Sequence, residues 1–186
     1  MAAGVAVTAF RGPDPLGFEP PPTVWRPSAE ISARFGLAEG VDCGAKAWPV
    51  FLRGDCKLEL IRSPLFDAAV APALAMQMSL GAILVDAYLT MLFDLNLHRE
   101  PWQAGAVSLI GTVAPIGRCY LAEGRDTEGC WMQLAYSGGL AVTVTDRLVL
   151  FAEVSQYRTV INPGPAMGTS FLRGVHAGIG FQFRAR

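Results

Sequence analysis

The chain has 186 residues, of which 52% are hydrophobic and 17% charged, with a formal net charge of −1. It is one domain's worth of chain, richer in apolar and poorer in charged residues than a soluble domain, and its composition excludes disorder and a collagen-like repeat. Acids and bases nearly balance, which leaves no cationic surplus to hold a phosphate backbone and removes nucleic acid as an expected partner.

The first residues, Met1 to Thr8, lack the basic start, the apolar stretch and the small-residue cleavage site of a secretory signal, so a signal either does not exist or has been removed. From there apolar and polar residues alternate with period two, segment after segment, which predicts strands. The first covers 4–11. In the second, 26–37, Glu30, Ser32, Arg34 and Gly36 share one face and Ile31, Ala33, Phe35 and Leu37 the other. In 41–49, Val41, Cys43, Ala45 and Ala47 oppose Asp42, Gly44 and Lys46, and in 54–62, Cys56, Leu58 and Leu60 oppose Lys57 and Glu59. The fifth, 66–77, belongs to the longest charge-free stretch, but Pro72, Gln77, Ser79 and Gly81 interrupt it and make it a poor membrane helix. In 83–95 every odd position is apolar, while Asp86, Tyr88, Thr90 and Asp94 occupy even ones; a helix would also align Asp86, Thr90 and Asp94, four residues apart, and the neighbouring segments decide for a strand. Segments 103–115, 131–144, 148–160 and 171–183 continue the pattern, the last setting Gly174, His176, Gly178 and Gly180 against Val175, Ala177, Ile179 and Phe181.

The polar phase is rich in Gly, Ala, Ser and Thr with charges of both signs, as suits a cramped interior. Its apolar counterpart carries Leu, Val, Phe, Met and Ile, as suits a lipid-facing belt. The polar face is therefore read as the inside. Backbone groups left unpaired in hydrocarbon are too costly, so such a sheet must close. The expected fold is all-β: a closed antiparallel up-and-down transmembrane barrel, one domain over 1–186, with about ten strands and a range of roughly eight to twelve. Links alternate in length. Ala38-Glu39-Gly40, Ser63-Pro64-Leu65 and Thr145-Asp146-Arg147 are tight, 96–100 is middling, and the Pro-rich 12–22, the 116–129 stretch and the Asn162-Pro163-Gly164-Pro165 link are long. Trp25, Trp48, Trp102 and Trp131 lie near strand ends, where interfacial girdles belong.

Four cysteines in two local couples, Cys43 with Cys56 and Cys119 with Cys130, suit an oxidising compartment and are candidate disulfides. The first couple shares the outward phase of adjacent strands. The second brackets the longest polar link. No C-x-x-C occurs, and His98 and His176 add too little for a zinc site, so neither metal nor cofactor is expected.

The segment Ala33-Arg34-Phe35-Gly36-Leu37-Ala38-Glu39-Gly40-Val41-Asp42-Cys43-Gly44 resembles the strand, turn, strand repeat of porin-like barrels, and Gly178-Ile179-Gly180-Phe181-Gln182-Phe183 resembles their carboxy-terminal strand. By these residues the chain is similar to the small outer-membrane β-barrel proteins of Gram-negative bacteria. The resemblance implies an outer-membrane address, membrane lipid as solvent, and the barrel assembly machinery as a partner that reads Gly178, Gly180, Phe181 and Phe183. Such proteins usually finish on the aromatic residue, whereas Arg184-Ala185-Arg186 follow here, and the missing signal suggests a mature or truncated chain.

Candidate lumen-lining groups are Glu30, Arg34, Asp42, Lys46, Lys57, Glu59, Asp86, Asp94, Glu153 and His176, with Asp67 beside them. Mixed signs favour mutual pairing across a filled lumen over a selectivity filter. A wide pore needs about 16–18 strands, so the expected role is structural, or that of a narrow path or cavity for a small solute or ligand, with a loop-binding partner unidentified. A catalytic role is not expected: no nucleophile elbow or phosphate loop is present, and a lipid-modifying centre would have to rest on His176 with Ser137, Glu153 or Ser155. A soluble lipocalin-like barrel is the competing fold, and it would turn Leu58, Leu89, Phe93, Leu150 and Phe181 inward.

Overall fold

The computed structural model describes residues 2–11, 26–48, 51–79, 82–98, 103–122, 129–145, 147–161 and 171–182, with 2–11, 26–28, 171–182 and a few strand-end residues described by backbone alone. Every regular element among them is a strand. In chain order these are β1 (Ala2–Arg11), β2 (Arg26–Ala38), β3 (Val41–Trp48), β4 (Phe51–Arg62), β5 (Phe66–Ser79), β6 (Ala82–His98), β7 (Val107–Ala122), β8 (Gly129–Thr143), β9 (Leu148–Ile161) and β10 (Phe171–Gln182). Each pairs antiparallel with its sequence neighbour, and β1 pairs with β10 from Ala2↔Gln182 to Arg11↔Arg173, so the strand order forms a ring.

Local chemistry sets the turns. Gly40, at φ 70°, turns β2 into β3 at a conformation that side chains with a Cβ avoid. Between β4 and β5, the Ser63 hydroxyl donates to the Phe66 carbonyl at 2.7 Å and accepts from its N–H at 2.9 Å. Thr145 Oγ1 likewise accepts from the N–H groups of Arg147 and Leu148 between β8 and β9.

Prolines mark where a ladder lapses. Along β4–β5 the pairing passes from Asp55↔Ala73 to Leu58↔Val70 and skips Pro72, whose nitrogen has no hydrogen to donate. Along β6–β7 it passes from Tyr88↔Ile116 to Met91↔Val113 and skips Pro115. Each proline remains paired on its other side, Pro72 with Leu89 and Pro115 with Leu134.

Burial follows the alternation with the polar row inside. Glu30, Asp55, Asp86, Thr90, Asn96, Ser108, Gln133 and Thr143 are buried, together with Ala69, Ala71, Ala73, Ala75, Leu84 and Ile116. Large apolar side chains stand exposed on β2 and on β4 through β9, up to 68% for Leu37. Leu58, Leu89, Phe93 and Leu150, which a soluble barrel would hide, are all among the exposed ones. The side chain of Phe181 lies outside the described residues.

Two sequence expectations are corrected. The stretch 116–129 is mostly strand rather than link, because β7 runs on to Ala122 and β8 begins at Gly129. Trp131, expected in an interfacial girdle, is 6% exposed among the inward residues of β8, in phase with Gln133. Trp25, Trp102 and the 162–165 link lie outside the described residues.

Candidate functional site

The inward faces of β2, β3 and β4 hold one charge cluster. Lys46 Nζ lies 3.1 Å from Glu30 Oε1. Arg34 donates from Nε to Asp42 and from Nη2 to Asp55, tying three strands together. Gly44 makes this possible: a Cβ there would sit 2.7 Å from Arg34 Cγ and 2.8 Å from the Ala33 carbonyl oxygen. The glycine that closes the strand, turn, strand motif thus clears the bed in which the arginine lies.

A second cluster lines β6 through β9. Arg118 grips Asp86 with two parallel bonds, Nε to Oδ1 and Nη2 to Oδ2, both 2.6 Å, and the Tyr88 hydroxyl donates to Oδ2 at 2.8 Å. Such a fork-on-carboxylate pair is among the stronger polar contacts available to a protein. Farther along, Thr112 and Ser137 share a hydrogen bond of 2.6 Å, and Ser137 also bonds to the Glu153 carboxylate. The backbone register sets His176 opposite Glu153 and Thr8.

Arg53 joins the two clusters. From β4 it reaches over β5 to donate to Thr90 Oγ1 on β6 at 3.2 Å, and its guanidinium lies 4.6 Å from the Tyr88 ring centroid. This crossing requires the intervening strand to be low. Ala71, Ala73 and Ala75 supply that, all buried and none longer than a methyl group. Arg53 Nε is also 3.7 Å from Asp55 Oδ2.

Toward the end that carries the tight turns, Asp67 stands opposite Asp94 in the β5–β6 register, with Lys57 in Coulombic range of Asp94. Glu59 pairs with Arg62 at 3.5 Å, and Ser63 N–H caps Asp67 Oδ1 at 3.0 Å. Asn96 accepts from Ser108 at 2.8 Å and donates to the Pro64 carbonyl at 3.2 Å.

The structure therefore brings together Glu30 with Lys46, Arg34 with Asp42, and the pair Asp67 and Asp94 near Lys57; Asp86 and Glu153 belong to the second cluster. For His176, Gly178, Gly180 and Phe181 it gives strand positions in β10, and Phe183 lies outside the described residues. Sequence reasoning missed Arg53, Asp55, Tyr88 and Arg118 as members of the network. Continuing the alternation backward from Lys57 places Asp55 and Arg53 on the inward phase, and continuing it forward from Thr112 places Arg118 there.

Both cysteine couples are bridged, Cys43 to Cys56 and Cys119 to Cys130, each joining residues directly opposed in register. No group of three or more His, Cys, Asp or Glu suited to a metal ion occurs among the described residues.

An antiparallel up-and-down sheet with an apolar exterior and a polar interior is the fold of the small bacterial outer-membrane β-barrels. The solved structures that resemble this chain carry that fold. Neisserial surface protein A aligns with a TM-score of 0.50 and 11% identity over 98% of this chain and 96% of its own. A bacterial polysaccharide outer membrane secretin aligns with a TM-score of 0.52 and 9% identity over 98% of each chain. Ail, the attachment invasion locus protein of Yersinia pestis, aligns with a TM-score of 0.44 and 12% identity over 98% of this chain and 97% of its own. No family model matches the chain, and no curated protein matches it in sequence.

Proposed function

We propose that the chain is an integral outer-membrane protein whose ten strands close into a transmembrane barrel, and that its lumen is filled by its own side chains rather than open to solute. The observation that carries this is the reversal of phase: charged Asp55 and Asp86 are buried while Leu60, Leu74 and Val154 are more than half exposed. In water that arrangement is costly, since exposing rather than burying each large apolar side chain forgoes about 1.5–3 kcal/mol, and the largest apolar patch on a soluble monomer is only about 300–600 Å². In hydrocarbon the same row is solvated, and ring pairing satisfies the backbone.

Contacts linking Arg53, Tyr88, Asp86 and Arg118 from β4 to β7 support a structural role over diffusion of solute. The protein then acts as an anchor that presents its long links to a partner at the cell surface. Gly178, Gly180, Phe181 and Phe183 are the proposed signal for the barrel assembly machinery. Protein folded into detergent should give a strand-dominated circular dichroism spectrum and a gel mobility that shifts on boiling, and planar bilayers containing it should conduct like bare lipid. Free solubility in plain buffer would refute the membrane reading, and stable conductance steps would refute the filled lumen.

A further inference from the structure

The outward phase of the strands carries almost no charge. Register with the inward residues fixes the phase of each strand: Glu153, bonded to Ser137, is the partner of His176, which is the partner of Thr8. Counted this way, the outward positions of the ten strands hold no Asp, Glu or Lys among the described residues, and their only arginines are Arg11, Arg158 and Arg173. All three belong to adjacent strands. Arg11 of β1 and Arg173 of β10 are direct register partners, Arg173 is also the partner of Gln156 on β9, and Arg158 lies two residues beyond Gln156, opposite Phe171. Tyr136 of β8, the other partner of Gln156, extends the row and is exposed.

Their place along the strands is equally specific. Arg11↔Arg173 is the last pair of the β1–β10 ladder and Phe171↔Arg158 the last of β9–β10. Both stand at the end that carries the links 12–25 and 162–170, away from the tight turns after β2, β4 and β8. Along β9 the outward row on either side of Arg158 is apolar, with Val154 and Val160 61% and 60% exposed.

In the bilayer of the proposed function, on which this inference rests, an arginine on the lipid face is costly at the midplane and nearly free of cost close to the interface. The ends of the ladders therefore set this cluster among headgroups. Like charges directly opposed across two strands repel, and an anion held between them converts the repulsion to attraction. The planar guanidinium fork matches phosphate oxygens with two parallel bonds. Three cations at neighbouring register positions exceed the single charge of one phosphodiester, and a zwitterionic headgroup brings a cation of its own.

We propose that Arg11, Arg158 and Arg173 form a lipid site that holds one headgroup carrying two or more phosphates, its acyl chains lying along the apolar row of Val154 and Leu150.

The probe is cardiolipin, which has two phosphates in one headgroup, against phosphatidylglycerol, which has one. Full-length protein folded in detergent is mixed with each lipid at equal total phosphate, and bound lipid is counted by native mass spectrometry. Cardiolipin should be retained at least about ten-fold more tightly, and each of Arg11→Gln, Arg158→Gln and Arg173→Gln should weaken it by about ten-fold, the lower end of what a hydrogen bond to a charged group contributes. Arg26→Gln removes the same charge from the same end, but at a position on the inward phase, and should leave retention unchanged. Equal retention of the two lipids, unaltered binding in the three outward variants, or an equal loss in Arg26→Gln would each overturn the proposal. So would displacement of cardiolipin by inorganic phosphate at the same phosphate concentration, which would make the cluster a site for free anions. Should the outward variants not fold, the comparison of the two lipids on the unaltered chain decides alone. The boiling-dependent gel shift in phosphatidylcholine vesicles reports insertion separately: protein that inserts but shows no preference for cardiolipin refutes this site and leaves the membrane reading standing, whereas protein that does not insert refutes both.

Discussion

The Asp86–Arg118 pair offers the sharpest energetic test of a filled lumen. Asp86 is 1% exposed and spends both oxygens on Arg118 and Tyr88. In Asp86→Asn the volume is kept, but one acceptor becomes an NH2 donor facing donors, and the Arg118 guanidinium stays buried without its counter-charge. Breaking a buried pair from one side costs about 3–5 kcal/mol. Removing both charges with Asp86→Leu and Arg118→Met together leaves no stranded ion, and the pair of changes should recover most of that loss. Tyr88→Phe deletes one of three hydrogen bonds to the carboxylate and should cost only about 0.5–1.5 kcal/mol. Urea unfolding of vesicle-inserted protein, followed by tryptophan fluorescence and the gel shift, measures all three. A cost below about 1 kcal/mol for Asp86→Asn, or a double variant as unstable as the single one, would show that water reaches the pair and that the lumen is not packed there.

The outer face and the ladder make separate predictions. Leu89→Arg places a charge among acyl chains and should destabilise the inserted protein by about 2–4 kcal/mol in the same unfolding assay, whereas a soluble fold would register little change at a half-exposed site. Gly139→Val drives a Cβ into the Ala152 carbonyl oxygen and to 2.8 Å from Glu153 Cα, so the β8–β9 pairing must part and the folded gel band should disappear. Its neighbour Gly138 has nothing within 4 Å of such a Cβ, and Gly138→Ala should fold normally. Ala73→Phe fills the low strand over which Arg53 passes and should cost about 1–3 kcal/mol by overpacking, read as a lower urea midpoint.

Alternation is a property of a chain segment only a few residues long, so the sequence alone determined that the chain forms strands, which residues share a face, and that the charged face lies inside. The two cysteine couples were legible for the same reason, because a hairpin's register follows from local phase and turn. Strand ends were less legible: Ile116 to Ala122 reads as link because Gly117 interrupts its apolar row, yet pairing with β6 and β8 holds it in the sheet. The partner of each inward charge was decided by tertiary structure alone. Arg34 reaches Asp55 across two strand pairs, and Arg53 finds Thr90 and Tyr88 only because three alanines leave β5 low between them. Such partners depend on the stagger of several strands and on side-chain height across the ring, distances that no pattern along the chain encodes.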